Sequence, residues 1–226
     1  AELMNFGLSE EQEMIVNTVR SFVEKEIYPH EDLVEQSAEV PREIAQDIKQ
    51  KTIDIGFYAC NFPESVGAAG LSHVDFALVE RELGRGSMAL THFFGRPQNI
   101  LMACQGTQVE RYLRPAIRGE KMDALAMTEP GAGSDVRSMA CSAQRAGGDW
   151  VLNGNKHFIS GAEHADFVIV FVATGVDETP RGPKKRITTF LVDRGTPGFT
   201  IREGYKSVSH RGYKNMILEF DNCRLP

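Results

Sequence analysis

The sequence predicts an α+β fold in which an N-terminal all-α domain, residues 1–124, precedes an antiparallel β-barrel or sandwich-like domain, residues 125–226. Two observations predict this class. Apolar residues recur at helical spacing in the first half of the chain, and short β-prone runs separated by turn residues follow from about residue 124. Helices therefore come first and strands second, which is not the alternating order of a Rossmann fold.

The first half of the chain carries start signals for three helices. Ser9 and Gln12 have the spacing of a capping box, and apolar residues at helical spacing follow until Pro29, which we expect to end the first helix. Pro41 suits the first turn of the second helix, and Ser72 begins the third. Further helical segments are predicted at 97–105 and 107–117.

The second half alternates strand-like runs with turns. Predicted strands are SMACSAQR, WVL, DFVIVFVAT, RITTFLVD, FTIRE and NMILEFDN, in chain order. The segments AGGD and NGNK between them are typical of turns, and the polar stretch between Thr174 and Arg186 predicts an exposed loop.

Composition narrows the classes of function. Apolar residues make up 42% of the chain and charged residues 25%, with a net charge of -6, which is typical of a soluble globular protein and argues against a nucleic-acid or membrane-surface binder. The longest apolar run, 167–174, is too short to span a bilayer. The 4 cysteines form no CxxC pair, which favours reduced thiols. We expect a cytoplasmic protein, or a mitochondrial matrix protein if a presequence has been removed.

Two short segments are candidates for a binding site. In TEPGAGSD, residues 128–135, backbone amides around Gly131–Ser134 and the Ser134 hydroxyl can form an anion-binding loop, or the segment is an ordinary turn. Because a strand and not a helix follows it, a nicotinamide dinucleotide fingerprint is not expected. In NGNKHFISG, residues 153–161, an aromatic, a β-branched residue and Ser160 suit a planar heterocycle, or the segment is a hairpin leading into a core strand.

The sequence carries no motif for a metal site or for a serine nucleophile. His157 and His164 are seven residues apart without HExxH or facial-triad spacing, so no metal site is predicted. No serine lies in a GxSxG context that would indicate an activated nucleophile.

Taken together, AMTEPGAGSDV at 126–136 and LNGNKHFISGAEHADFVIV at 152–170 closely resemble the acyl-CoA dehydrogenases. The segments LSEEQEMIVNTVRSFVEKEI, GLSHVDFALVERELGR and GYKNMILEFDNCRLP resemble the same family in the expected order, so the resemblance covers essentially the whole chain. It implies an α domain, a middle β domain and noncovalent FAD bound with acyl-CoA between them.

The resemblance also implies roles for individual residues. The flavin ring would be lined by Leu125, Met127 and Thr128, with main-chain contacts from Met127 and a hydroxyl from Thr128. Gly133 and Ser134 would lie near the FAD diphosphate, and Ser134 would also face the substrate. The remaining cofactor residues would be Phe158 against the flavin ring, where the family commonly has Trp, then Ile159, then Ser160 near flavin N5, where the family commonly has Thr.

The activity implied is FAD-dependent α,β-dehydrogenation of an acyl-CoA thioester to the trans-2-enoyl-CoA, as in fatty acid metabolism, with electrons passed to an electron-transferring flavoprotein. Alternatives are an acyl-CoA oxidase that delivers electrons to oxygen, and a non-catalytic FAD- and acyl-CoA-binding subunit. Homo-oligomers, dimers or tetramers, are also implied.

Family members continue into a C-terminal helical bundle that carries the catalytic glutamate, completes the FAD site and builds the tetramer. This sequence ends at NCRLP, where that bundle is expected to begin. No glutamate in it is assigned as the base, so the catalytic residue is unknown. We expect either a fragment or a partner that supplies those parts.

Overall fold

The structure, a computed structural model, describes residues 7–226 and divides into two compact units. The first contains the described residues up to Glu120 together with His210–Gly212, and the second contains Lys121–Ser209 and Tyr213–Pro226. The first unit is helical and the second is built on one sheet, so the α+β class is confirmed. The predicted domain boundary at residue 124 stays a prediction, because contacts within one chain do not show which parts fold independently.

Helices make up the regular structure of the first unit. The α-helices are α1 (Glu10–Phe22), α2 (Tyr28–Ser37), α3 (Arg42–Asp54), α4 (His73–Leu83), α5 (Met88–Thr91) and α6 (Arg114–Ile117). Short 3-10 turns occupy Glu64–Val66, His92–Phe94 and Asn99–Ala103, and π-helical turns occupy Val23–Ile27 and Val109–Leu113.

Two predicted helix starts are confirmed by their capping bonds. The Ser9 hydroxyl accepts from the N–H of Gln12 at 3.2 Å, and the Gln12 side chain accepts from the N–H of Ser9 at 3.1 Å, which completes the capping box. Ser72 caps α4 in the same way by accepting from the N–H of Asp75 at 3.1 Å.

The expectation that Pro29 ends the first helix is wrong. The chain stays helical through a π-helical turn at Val23–Ile27 and continues as α2 to Ser37. Pro29 lies in the first turn of α2, where a backbone N–H has no intrahelical partner to lose. The π-helical turn therefore makes the proline compatible with a nearly continuous helix.

Glu82 carries a buried carboxylate in the first unit and is paired with a partly exposed arginine. Glu82 is 2% exposed and accepts two hydrogen bonds from the Arg20 guanidinium, at 2.9 and 3.2 Å. These bonds outweigh the desolvation of the carboxylate and hold the pKa of Glu82 below its usual range. Two buried aromatic residues of the same unit pack edge to face, with the Phe22 and Phe94 ring centroids 5.2 Å apart.

Seven strands form one curled sheet in the second unit. They are β1 (Asp123–Ala126), β2 (Ser142–Ala146), β3 (Asp149–Ser160), β4 (Phe167–Asp177), β5 (Lys184–Asp193), β6 (Phe199–Tyr205) and β7 (Asn215–Leu225). The spatial order is β1-β4-β2-β3-β7-β6, and β5 pairs with β4. Buried apolar side chains from all parts of this sheet form one cluster that includes Leu152, Val170 and Leu218.

The sheet is mixed, so the prediction of a purely antiparallel sheet is wrong in one respect. β5 is antiparallel to β4 along its full length, whereas β1 and β2 both run parallel to β4. Ala126 pairs with Val170, and Ser142 pairs with Ala173. Because β5 occupies one edge of β4, β1 and β2 share the other edge end to end. The connection 127–141 leaves the sheet at the gap between them, and this gap positions the candidate site.

The NGNK segment is not the predicted turn. It lies inside β3, where the register with β7 shifts between Leu152 and Gly154 and again between Lys156 and Ile159. Gly154 has a φ of 132°, and an added Cβ would meet the Cys141 Sγ at 2.7 Å. This position therefore requires glycine because Cys141 packs closely against the strand. Within residues 7–226, no helix is long and apolar enough to cross a membrane.

Candidate functional site

A buried ion pair lies at the base of the loop that leaves the sheet after β1. The Lys156 ammonium contacts the Glu129 carboxylate at 2.8 Å, and the two side chains are 0% and 4% exposed. Lys156 also donates to the main-chain oxygen of Met127 at 2.9 Å. Glu129 accepts from the N–H groups of Ala140 at 2.5 Å and Cys141 at 3.1 Å. The pair therefore joins the start of the loop, its end and β3.

A main-chain bond adds to this junction. The N–H of His157 donates to the carbonyl of Thr128 at 2.8 Å. The two segments that the sequence singled out, TEPGAGSD and NGNKHFISG, are thus in direct contact, although 27 residues separate Glu129 from Lys156.

The glycine loop presents unpaired donors. Its N–H groups at Gly131, Gly133 and Ser134 have no hydrogen-bond partner among the described residues, and all three residues are exposed. An added Cβ at Gly131 or Gly133 would meet nothing within 4 Å, and neither φ lies in the left-handed region. The folded chain therefore does not require glycine at these positions. A ligand that approaches the main chain closely would require it, because a side chain there would occupy the ligand's space.

The titratable neighbours of the loop are already engaged. The Asp135 carboxylate accepts from the Ser138 hydroxyl and from the N–H of Arg137, and the Ser138 bond holds the pKa of Asp135 below its usual range. Burial raises the pKa of the Cys141 thiol to about 11, so this thiol is protonated at neutral pH and is not a nucleophile.

Phe158 presents a flat aromatic face to solvent. The residue is 54% exposed and its φ is 56°, a left-handed conformation that costs energy for a bulky residue. The second register shift of β3 contains this residue. The Tyr205 ring stacks on the Phe158 ring with centroids 4.2 Å apart and planes at 15°, and the Tyr205 hydroxyl is 2.7 Å from His157 Nδ1. Strain at an exposed aromatic indicates a functional constraint.

The other predicted site residues occupy different environments. Leu125, Met127 and Thr128 are partly buried, and the Leu125 side chain lies on the face of β1 opposite Ala124. Ile159 is 2% exposed and belongs to the core of the second unit, so only its main chain is available. The Ser160 hydroxyl donates to Asn215 Oδ1 at 2.8 Å.

Sequence reasoning missed four residues of this arrangement: Glu129, Lys156, Tyr205 and Asn215. A charged pair 27 residues apart leaves no local signal, because charged side chains in polar segments read as solvent-exposed. Tyr205 and Asn215 lie on strands that meet β3 only in the folded sheet.

A further hypothesis from the sequence is that Phe93, Phe94 and Gln98 approach the acyl chain, the alternative being an ordinary core role. Phe93 is 4% exposed and Phe94 is 0% exposed, and both belong to the packed interior of the first unit. No group of three or more His, Cys, Asp or Glu side chains that suits a metal ion occurs in the part of the chain that the structure describes.

The residues present fit a ligand that combines a planar ring with an anionic linker. Phe158 offers a flat apolar face, Thr128 offers a hydroxyl, and the loop 131–134 offers unpaired amides. The Met127 carbonyl is already bonded to the Lys156 ammonium, and the N–H of Thr128 points away from that ammonium, since a trans peptide holds its C=O and N–H in opposite directions.

Comparisons with known proteins agree with this description. Residues 9–120 match the family model described as "Acyl-CoA dehydrogenase, N-terminal domain", and residues 124–223 match "Acyl-CoA dehydrogenase, middle domain". Benzylmalonyl-CoA dehydrogenase of Aromatoleum aromaticum is 34% identical over 99% of this chain and 58% of its own length. A subunit of the caffeyl-CoA reductase-Etf complex of Acetobacterium woodii is 31% identical over 96% of this chain and 57% of its own length.

Among solved structures, a glutaryl-CoA dehydrogenase from Mycobacterium smegmatis in complex with FADH2 superposes with a TM-score of 0.83 at 29% identity. The match covers 97% of this chain and 54% of that one. This relative carries the reduced form of the predicted cofactor. The chain spans little more than half the length of the curated relatives it matches. The two family models together cover most of its residues, and the chain therefore belongs to the acyl-CoA dehydrogenase family.

Proposed function

We propose that this chain is the FAD- and acyl-CoA-binding part of an enzyme that dehydrogenates an acyl-CoA thioester between its α and β carbons. The product would be the trans-2-enoyl-CoA. The observation that carries the proposal is the junction in which Lys156 bonds to Met127 O at 2.9 Å and to Glu129 at 2.8 Å. It joins the segment with unpaired amides to the segment with the exposed, strained Phe158.

The proposed cofactor contacts follow from what each group offers. The diphosphate of FAD would accept from the unpaired N–H groups at Gly133 and Ser134, with no side chain at Gly133 to hold it off. The flavin ring would pack on Phe158 and along Leu125 and Met127, and Thr128 would donate to its polar edge. At Ile159 the contact would be main-chain, and Ser160 would present its hydroxyl from a position held by Asn215.

Bound FAD supplies a hydride acceptor for the β-carbon of the substrate. The proposed role of this chain is to bind FAD and the acyl-CoA and to orient them. The carboxylates next to the proposed contacts are committed to other bonds, since Glu129 is paired with Lys156 and Asp135 holds the Ser138 hydroxyl. The general base that removes the α-proton is therefore not among these residues.

We further propose that the electrons leave to an electron-transferring flavoprotein. The support is the similarity to a subunit whose name places it in an Etf complex. We also propose, from the family resemblance alone, that the protein assembles into homo-oligomers.

Substitution of Thr128 tests the proposed flavin contacts. Thr128→Val keeps the shape of the side chain and removes its hydroxyl, and the loss of one hydrogen bond of about 1 kcal/mol predicts an FAD dissociation constant raised about five-fold. Thr189→Val, at an exposed position on β5, is the matched control and should leave FAD binding at the parent level. Flavin fluorescence on titration of the apoprotein measures both. A parent protein that does not bind FAD would refute the proposed function.

A further inference from the structure

From the geometry of the buried pair we infer that Lys156 is a positioning residue for the cofactor, acting through the carbonyl of Met127. The inference rests on the proposed function and deepens it, because it assigns the orientation of the flavin-binding main chain to one buried ammonium. Lys156 contacts three things: the Met127 carbonyl, the Glu129 carboxylate and the surrounding core.

The first step of the argument is that Lys156 does not act by its charge. Its Nζ lies 2.8 Å from the Glu129 carboxylate, so the pair as a whole is neutral, and its side chain is 0% exposed. An anionic ligand at the loop would meet little net field from this pair. What remains available to influence a ligand is the geometry that the pair imposes.

The second step concerns the peptide between Met127 and Thr128. The Lys156 ammonium donates to the Met127 carbonyl at 2.9 Å, and the N–H of His157 donates to the next carbonyl, that of Thr128, at 2.8 Å. Because the peptide is trans, the first bond holds the Thr128 N–H pointing away from the Lys156 ammonium. That N–H and the Thr128 hydroxyl have no partner among the described residues. Thr128 thus offers two donors, and the Lys156 ammonium fixes the direction of one of them, the N–H.

The third step concerns the rest of the loop. Glu129 also accepts from the N–H groups of Ala140 and Cys141, so the same pair ties the two ends of the segment 129–141 together. The unpaired amides of Gly131, Gly133 and Ser134 lie in the loop between Glu129 and the residues that donate to it. Because the pair is buried, its bonds are not weakened by exchange with water.

A purely structural role for the pair makes a different prediction. If the pair only stabilises the fold, removing both charges together should restore stability and cofactor binding alike, because a buried ion pair replaced as a unit is often neutral for stability. A positioning role predicts that the two properties separate.

The test compares Glu129→Gln/Lys156→Met with the parent in the natural protein at its full encoded length. Glutamine keeps an acceptor for the Cys141 N–H, and methionine keeps the length of Lys156 without the Met127 bond. We expect an unfolding midpoint near that of the parent but an FAD dissociation constant raised about five-fold, as for the loss of one hydrogen bond of about 1 kcal/mol from the Thr128 N–H to the flavin ring. We also expect a shifted visible absorption spectrum of the bound flavin.

Two further measurements make the outcome decisive. Glu82→Gln, which weakens the ion pair between Arg20 and the buried Glu82 in the first unit, should lower stability without changing FAD affinity. Hydrogen exchange of the Thr128 amide in the parent should slow when FAD is added.

An FAD dissociation constant in the double variant equal to that of the parent would overturn the inference while leaving the proposed function intact. If the double variant does not fold, an unchanged exchange rate at Thr128 on adding FAD to the parent would overturn it equally. A parent that fails to bind FAD would remove the proposed function and the inference together.

Discussion

Alanine at Gly133 separates what the fold needs from what a ligand needs. In this structure a Cβ at Gly133 would meet no atom within 4 Å, and the residue is not in the left-handed region. The folded chain therefore tolerates Gly133→Ala. Because alanine reduces the conformational freedom of the unfolded chain, the free energy of unfolding is expected to rise by about 0.4–1 kcal/mol.

The effect on cofactor binding has the opposite sign. If the diphosphate of FAD approaches the Gly133 N–H to hydrogen-bond distance, the new methyl group occupies part of that space. Loss of one hydrogen bond to a charged group is worth about 1.5–3 kcal/mol, which predicts an FAD dissociation constant raised roughly 10- to 150-fold.

Gly148→Ala provides the matched control. Gly148 lies in the turn between β2 and β3, is exposed, has nothing within 4 Å of an added Cβ and is also outside the left-handed region. Both variants should gain similar stability in thermal unfolding, and only Gly133→Ala should lose affinity for FAD in a fluorescence titration. Equal FAD affinity in the two variants would refute the assignment of this loop to the diphosphate.

Three further outcomes follow from the structure. Gly154→Ala should lower the free energy of unfolding by about 2 kcal/mol or more, measured by denaturant unfolding, because its Cβ would lie 2.7 Å from the Cys141 Sγ at a φ of 132°; parent-like stability would contradict the close approach. Burial raises the pKa of the Cys60 and Cys141 thiols to about 11, so both thiols should resist thiol reagents at pH 8, and rapid labelling of either in the native protein would contradict this. The stability that the two thiols contribute is complete below their unfolded pKa of 9.0 and should be lost as the pH rises toward 11. The Arg20 hydrogen bond depresses the pKa of Glu82, so the stability that Glu82 contributes is present above its unfolded pKa of 4.5 and is lost as the pH falls through the folded pKa. The free energy of unfolding of the parent should therefore fall more steeply in acid than that of Glu82→Gln. Equal slopes for the two proteins would contradict this.

Local signals in the sequence predicted local structure well. Ser9 and Ser72 mark helix starts because a cap needs only its own side chain and an N–H three residues on. The order of helices and strands followed in the same way from periodicity. Pro29 misled, because its effect depends on the π-helical turn that precedes it.

Features that depend on distant partners were not predictable. The parallel pairing of β1 with β4 joins residues more than 40 positions apart, and nothing in β1 indicates the direction of its partner. Gly154 reads as a turn residue, since only the folded sheet brings Cys141 against it. The burial of Lys156 is invisible for the same reason, because its carboxylate partner and its carbonyl partner come from another segment.

The visible absorption of the natural protein, titrated without oxygen with straight-chain, branched and aryl acyl-CoA thioesters, tests the proposed function most directly. We expect a protein that holds noncovalent FAD and whose flavin absorbance bleaches with at least one thioester, since hydride transfer from the β-carbon reduces the flavin. A protein that binds no added FAD and shows no bleaching with any of these thioesters would contradict the account.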